Sequence, residues 1–161
     1  MLERRQLQEI LDGTVRRFMV SNQSTEIAFY LNEYFLGHFG EAFHGLLELQ
    51  QDAVPELVKA YRASTETSLR AFLLKVIWQY RQTAELPLLT EALYEREPEI
   101  WKEAIDGLVS MATPESLQIL QTARTRQFSD VRMGRMFSEW LEEANTQVVA
   151  QLRSIEREHP P

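Results

Sequence analysis

Apolar residues recur along this chain at intervals of three and four, the spacing of one face of an α-helix. No stretch alternates for long enough to predict a strand. A longer period lies above the helical one. Setting "LRAFLLKVIW" from Leu69 over "IWKEAIDGLV" from Ile100 and "VRMGRMFSEW" from Val131 gives an offset of 31 residues both times. Leu74, Ile105 and Met136 then share a column, as do Leu73 with Ala104 and Ile77 with Leu108. Val76, Gly107 and Ser138 form a column of smaller side chains.

A preceding set of helices keeps nearly the same step. "VPELVKAY" from Val54, "LPLLTEAL" from Leu86 and "LQILQTAR" from Leu117 align at offsets of 32 and 31. Leu57, Leu89 and Leu120 coincide, and so do Ala60, Ala92 and Ala123. Each unit therefore reads as two helices joined by short polar turns. One period earlier, "HFGEAFHGLLEL" puts Ala42, Phe43, Gly45 and Leu46 under Leu73, Leu74, Val76 and Ile77. Its partner is "STEIAFYLNEYF", where Ala28 continues the alanine column.

The expected organisation is one all-α domain over residues 1–161. It comprises an N-terminal cap helix over 1–22, a degenerate repeat over 23–50, and repeats over 53–81, 84–112 and 114–142. A C-terminal helix extension occupies 143–158. Punctuation agrees with this division. Pro55, Pro87, Pro98 and Pro114 fall in expected first turns, where a fixed φ and a missing N–H are tolerated. Thr113 and Ser129-Asp130 read as helix starts.

The unit length, paired helices, initial prolines and small-residue columns resemble HEAT-like repeats of the phycobilisome-lyase type, over about residues 38–140. That resemblance implies a right-handed α-solenoid of about four helix pairs with capping helices at both ends. A central segment, "EALYEREPEIWKEAIDGLVSMATPESLQILQTAR", is similar to small bacterial immunity proteins built on such repeats. It implies a chain that binds and neutralises a cognate toxin made by the same cell.

Helical periodicity assigns faces. Leu73, Leu74, Ile77, Trp78, Ala104, Ile105, Leu108 and Val109 are expected in the core, and Glu99, Lys102, Glu103, Asp106 and Ser110 toward solvent. One unit later the outer strip turns apolar, with Met133, Phe137 and Leu141. The segment "NTQVVAQLRSI" has an apolar stripe of its own and is expected to fold back over that strip, the alternative being cover by a partner. Arg70, Trp101 and Arg132 form another column. An indole between two guanidinium groups would serve either as a recognition ladder or as inter-repeat packing.

Charge narrows the functional classes. Lys and Arg total 17 against 24 acids, a net −7, which argues against nucleic-acid binding because no basic footprint is available to displace counterions. From Glu91 to Asp106 the acids Glu91, Glu95, Glu97, Glu99, Glu103 and Asp106 face only Arg96 and Lys102, a local charge of −4 that would steer a basic partner. There is no cysteine, so disulfides, thiol catalysis and thiolate metal sites are excluded. The start "MLERRQLQEILDG" is not a secretory signal, and no apolar run approaches the roughly 20 residues that span a bilayer. A cytoplasmic protein with no membrane association is expected.

Catalytic chemistry finds no support. Glu99, Glu103 and Asp106 share a helical face, but acid–base work also needs a pocket and a second functional group. His38 and His44 lie six apart, off the i, i+4 spacing of a helical zinc pair. No enzyme activity, metal or cofactor is expected. The candidate protein-binding residues are Phe72, Tyr94 and Trp101 as anchors, with Glu99, Glu103 and Asp106 as charges. The functional expectation is a non-enzymatic protein-binding module with a basic partner, in the specific form implied by resemblance a toxin domain. The alternative is a scaffold, an adaptor or a lyase-like chaperone.

Overall fold

A computed structural model describes residues 22–159, so the cap helix expected over 1–22 lies outside it but for Asn22. Among the described residues there are eight α-helices and no strand. They are α1 (Asn22–Phe35), α2 (Phe39–Glu48), α3 (Val54–Ala63), α4 (Thr67–Gln79), α5 (Leu86–Ala92), α6 (Pro98–Met111), α7 (Pro114–Ala123) and α8 (Val131–Glu158). The chain falls into two compact units, one ending at Tyr80 with α1–α4 and one beginning at Arg81 with α5–α8. In the first, α1 pairs with α2 and α3 with α4, and α2 also packs on α4. In the second, α5 pairs with α6 and α7 with α8, and α6 touches both α7 and α8.

Local chemistry explains where the helices start. Pro55, Pro87, Pro98 and Pro114 occupy first-turn positions of α3, α5, α6 and α7. Thr113 Oγ1 accepts from the Ser116 N–H at 3.0 Å, capping α7. Asp130 Oδ1 caps α8, accepting from the N–H groups of Arg132 and Met133 at 2.8 and 3.0 Å.

The helix ends are equally specific. Gly37 has φ +88° and closes α1 in a Schellman turn, with His38 N–H donating to Glu33 O and Gly37 N–H to Tyr34 O. Arg81 and Ala112 follow α4 and α6 with φ of 52° and 48°, so the left-handed exit recurs one repeat apart. Each non-glycine residue in that region costs roughly 1–2 kcal/mol.

The columns become the core. Leu57, Leu89 and Leu120 are fully buried, and Ala60, Ala92 and Ala123 are at most 1% exposed. Small alanines let paired helices approach closely while the leucines fill the space between them. Leu73, Leu74, Ile77, Trp78, Ala104, Ile105 and Leu108 are buried as expected, and Val109 is half-buried. Gly45 is buried against α1, where an added Cβ would collide with the Tyr30 ring. Ser138 departs from its small-residue column and is exposed.

Tyr80 ties the end of the first unit back to an earlier helix. Its hydroxyl lies 2.5 Å from Leu46 O and 2.9 Å from Leu49 O, two carbonyls at the C-terminal end of α2. Burial raises the pKa of this phenol, and Asp52 nearby adds to the rise.

The C-terminal segment corrects one expectation. It does not fold back, because α8 runs unbroken for 28 residues from Val131 to Glu158. Asn145, the polar residue inside its apolar stripe, turns its Nδ2 onto Leu141 O of the same helix at 2.8 Å. Phe137 and Leu141 are 2% and 1% exposed because α8 lies against α6 and α7.

The junction between α1 and α2 carries a titratable clasp. His38 Nδ1 lies 2.7 Å from Glu33 Oε2 and 3.5 Å from Glu41 Oε2. The hydrogen bond to Glu33 raises the His38 pKa above its ordinary 6.5, with further Coulombic support from both glutamates. A raised folded-state pKa means the clasp stabilises fully below pH 6.5 and fades as pH climbs through the higher folded value. Thermal melts of wild type and His38→Asn from about pH 5 to about pH 9 should therefore converge at the alkaline end. A gap that widens with pH would refute the clasp.

Candidate functional site

The α6 helix carries the acids expected to face outward. Glu99, Glu103 and Asp106 stand at i, i+4 and i+7, one helical face. Glu99 and Asp106 are exposed, whereas Glu103 and Lys102 are half-buried. Glu99 sits in the first turn of α6, where the helix dipole favours a negative charge.

Packing of α8 along α6 leaves a groove of about 220 Å³, lined by Asp106 but not by Glu99 or Glu103. Ile105 and Val109 line it from α6 beside Asp106, and Trp140, Glu143 and Gln147 line it from α8. Gln147 Nε2 donates to Glu143 Oε1 at 3.2 Å, holding the carboxylate along its own helix. Lys102 Nζ stands 4.9 Å from the centroid of the Trp140 ring. The groove thus joins two carboxylates, an indole and an aliphatic floor.

Trp101 is corrected from surface anchor to core residue. It is 0% exposed and meets Phe137 edge-on at 5.2 Å and Trp140 at 6.4 Å. Of the two readings of its column, this burial fits packing rather than a recognition ladder. Lys102 is the cation found near this ring, at 5.8 Å, and Arg70 lies over Tyr61 at 4.6 Å. The physical reason is register, since residues 101, 105 and 108 share the inner stripe of α6.

The other two aromatic candidates also separate. Phe72 belongs to the first unit, half-buried against Tyr34 at 4.6 Å and Phe43 at 6.3 Å. Tyr94 is 48% exposed, beside a second groove of about 620 Å³. Arg126 and Phe128 line that groove, and sequence reasoning passed over both. The Arg126 guanidinium donates to Leu93 O, and to Glu95 O at 2.7 Å, while lying 4.3 Å from the Phe128 centroid and 5.1 Å from Phe137. Burial pulls its pKa below the usual arginine value, with Tyr94 and Glu95 opposing the shift.

Glu33, His38 and Glu41 bring three donor atoms within 4.8 Å of one another, a grouping able to hold a metal ion. The geometry is equally that of a protonated imidazole shared between two carboxylates, and His38 and Glu41 are exposed. Trp140 was missed although its column was legible, for Trp78, Val109 and Trp140 follow one another at the 31-residue step.

A family model describing HEAT repeats matches residues 54–136, just over half of the chain. The chain belongs to the HEAT-repeat family. The match begins at α3 and ends within α8, covering the helix pairs whose leucine and alanine columns are buried. HEAT repeats generally mediate protein–protein interaction. No curated protein and no solved structure matches this HEAT-repeat chain. Among the described residues, no helix is long and apolar enough to cross a membrane.

Proposed function

We propose that this HEAT-repeat chain is a non-enzymatic protein-binding module that engages a basic protein through the acidic face of α6. The observation that carries the reading is the line of Glu99, Glu103 and Asp106 beside the α6–α8 groove, with Glu143 on the facing helix. Carboxylates arranged this way attract a cationic surface over a distance set by the Debye length, about 8 Å at physiological salt. The same charge disfavours nucleic acid.

In its most specific form the partner is a toxin domain made by the same bacterial cell, and the chain acts as its cytoplasmic immunity protein. Resemblance of the central segment to small immunity proteins supports this form, as do the acidity and the shortage of catalytic groups.

The test is co-expression with a basic toxin domain encoded next to it. Protection of the cells and co-purification of the pair are expected. Reversing charge with Glu99→Lys, Glu103→Lys and Asp106→Lys together should slow association at low salt by about tenfold or more. Undiminished capture by the triple variant at low salt would show that the binding face lies elsewhere.

A further inference from the structure

We infer that the groove between α7 and α8 binds a glutamate within an acidic segment of a partner protein. Arg153 takes its carboxylate, and the side-chain oxygen of Asn145 accepts its backbone N–H. Asn145 lines this groove while its neighbour Ala144 lines the α6–α8 groove, so the two surfaces occupy different flanks of α8. The inference is therefore independent of the acidic face of α6.

The groove measures about 320 Å³, at the lower end of the roughly 300–1,000 Å³ of small-ligand pockets. Gln121 and Arg124 line it from α7, and Asn145, Val149, Ala150 and Arg153 from α8. No acid lines it, although the chain carries 24 acids and a net charge of −7. Its charge thus runs against that of the molecule and suits an anionic occupant.

Asn145 forms the floor. It is 4% exposed, whereas the other lining residues are half-buried or exposed. Its Nδ2 is committed to Leu141 O at 2.8 Å, and its Oδ1 is buried with no hydrogen-bond partner. Buried polar atoms in folded proteins are almost always paired, and an amide oxygen can only accept. The floor therefore calls for an incoming N–H. A bare anion brings acceptors alone and leaves this oxygen unpaired, whereas a peptide group beside a carboxylate satisfies both demands.

The two arginines divide the remaining work. Arg124 donates through Nε and Nη2 to Glu142 at 2.7 and 3.0 Å, which fixes its guanidinium and neutralises its charge. Among the described residues, Arg153 makes no ion pair or hydrogen bond, so it holds the uncompensated charge of the groove. Residues 145 and 153 are eight apart, about 12 Å along a helix. Long helical side chains lean toward the N-terminus, so Arg153 reaches back toward Asn145 across Val149 and Ala150. Those two residues offer an apolar surface for the glutamate methylenes.

The experiment uses the full chain with N-acetylglutamate methylamide as the probe. Binding is followed through the Asn145 Nδ2 and Arg153 Nε resonances in a ¹⁵N correlation spectrum. Saturable shifts of both are expected. N-acetylglutamine methylamide, the neutral isostere, should bind about tenfold more weakly or not at all. Sodium acetate, a carboxylate without an N–H, should move the Arg153 resonance and leave the Asn145 amide in place. Arg153→Gln should weaken the glutamate probe by about tenfold, and the residue is exposed, so the fold is retained.

The absence of a saturable shift at Asn145, or equal binding of the glutamine probe, would overturn the site. So would binding undiminished in Arg153→Gln. Acetate that moves the Asn145 amide as far as the glutamate probe does would refute the N–H contact, and with it the peptide ligand.

Discussion

Trp101→Ala is expected to destabilise the second unit by about 3–5 kcal/mol, the range for truncating a large aromatic in a packed core. The side chain is 0% exposed and fills the space between α6 and α8 against Phe137 and Trp140. Both rings sit on α8, so the void opens along the contact that holds the last two helix pairs together. Against a total stability of roughly 5–15 kcal/mol for a domain, that loss is severe.

A finer variant separates the contributions. The indole Nε1 of Trp101 is buried with no hydrogen-bond partner. Trp101→Phe removes that unsatisfied donor while keeping an aromatic ring, so it should cost distinctly less than alanine. Urea denaturation followed by far-ultraviolet circular dichroism measures both. A surface anchor would behave oppositely, with an unchanged midpoint for Trp101→Ala and a loss confined to partner binding.

Arg126→Ala should cost about 2–4 kcal/mol, made up of two charge-assisted hydrogen bonds and a stacked guanidinium. Arg126 follows α7, yet its donors reach Leu93 and Glu95 at the end of α5, 33 and 31 residues earlier. Those carbonyls lie just past Ala92, the last residue of α5, with Leu93 as its C-cap and Glu95 in the turn beyond. Arg126→Lys should recover less than half of the loss. A single ammonium cannot span two carbonyls while lying flat on Phe128 and Phe137.

The measurement is again the denaturation midpoint, paired with amide hydrogen exchange across α5. Faster exchange there in Arg126→Ala is the signature of a lost latch. A loss below about 0.5 kcal/mol, the level of an exposed side chain, would show that the guanidinium is decorative.

Much of the helical register was legible before any coordinates. Prolines at first turns, Thr113 and Asp130 as caps, and the leucine and alanine columns all act through local rules. A cap bonds within three residues of itself, and a buried stripe repeats every turn, so a linear reading contains the whole interaction.

The length of α8 was harder to read. The segment beginning at Asn145 has an apolar stripe of its own and was expected to fold back, but no glycine or proline follows before residue 160. The Asn145 amide bonds back onto Leu141 O of the same helix, so its donor is satisfied without a break. The cover of Phe137 and Leu141 then comes from earlier helices rather than from the tail.

The candidate site was legible in part. Glu99, Glu103 and Asp106 follow from periodicity on one helix, and that much needed no tertiary information. Trp101 loses the anchor role that the sequence suggested for it, and Trp140, to which the sequence reading gave no role, lines the groove. A tryptophan among acids looks like a binding anchor, but three-and-four spacing carries Trp101 inward and the neighbouring helix leaves Trp140 at the groove.

By itself, then, the sequence determined that the described residues form helices and no strand, where those helices begin, that the leucine and alanine columns are buried, and that α6 is acidic on one side. Each of these depends on residues within a turn or two of one another. Only the tertiary structure decided how Arg126 reaches the carbonyls beyond α5, and that Asp106 faces a groove shared with Glu143 and Trp140. These depend on side chains some 30 residues apart meeting in space, and their geometry is set by how one helix packs against another.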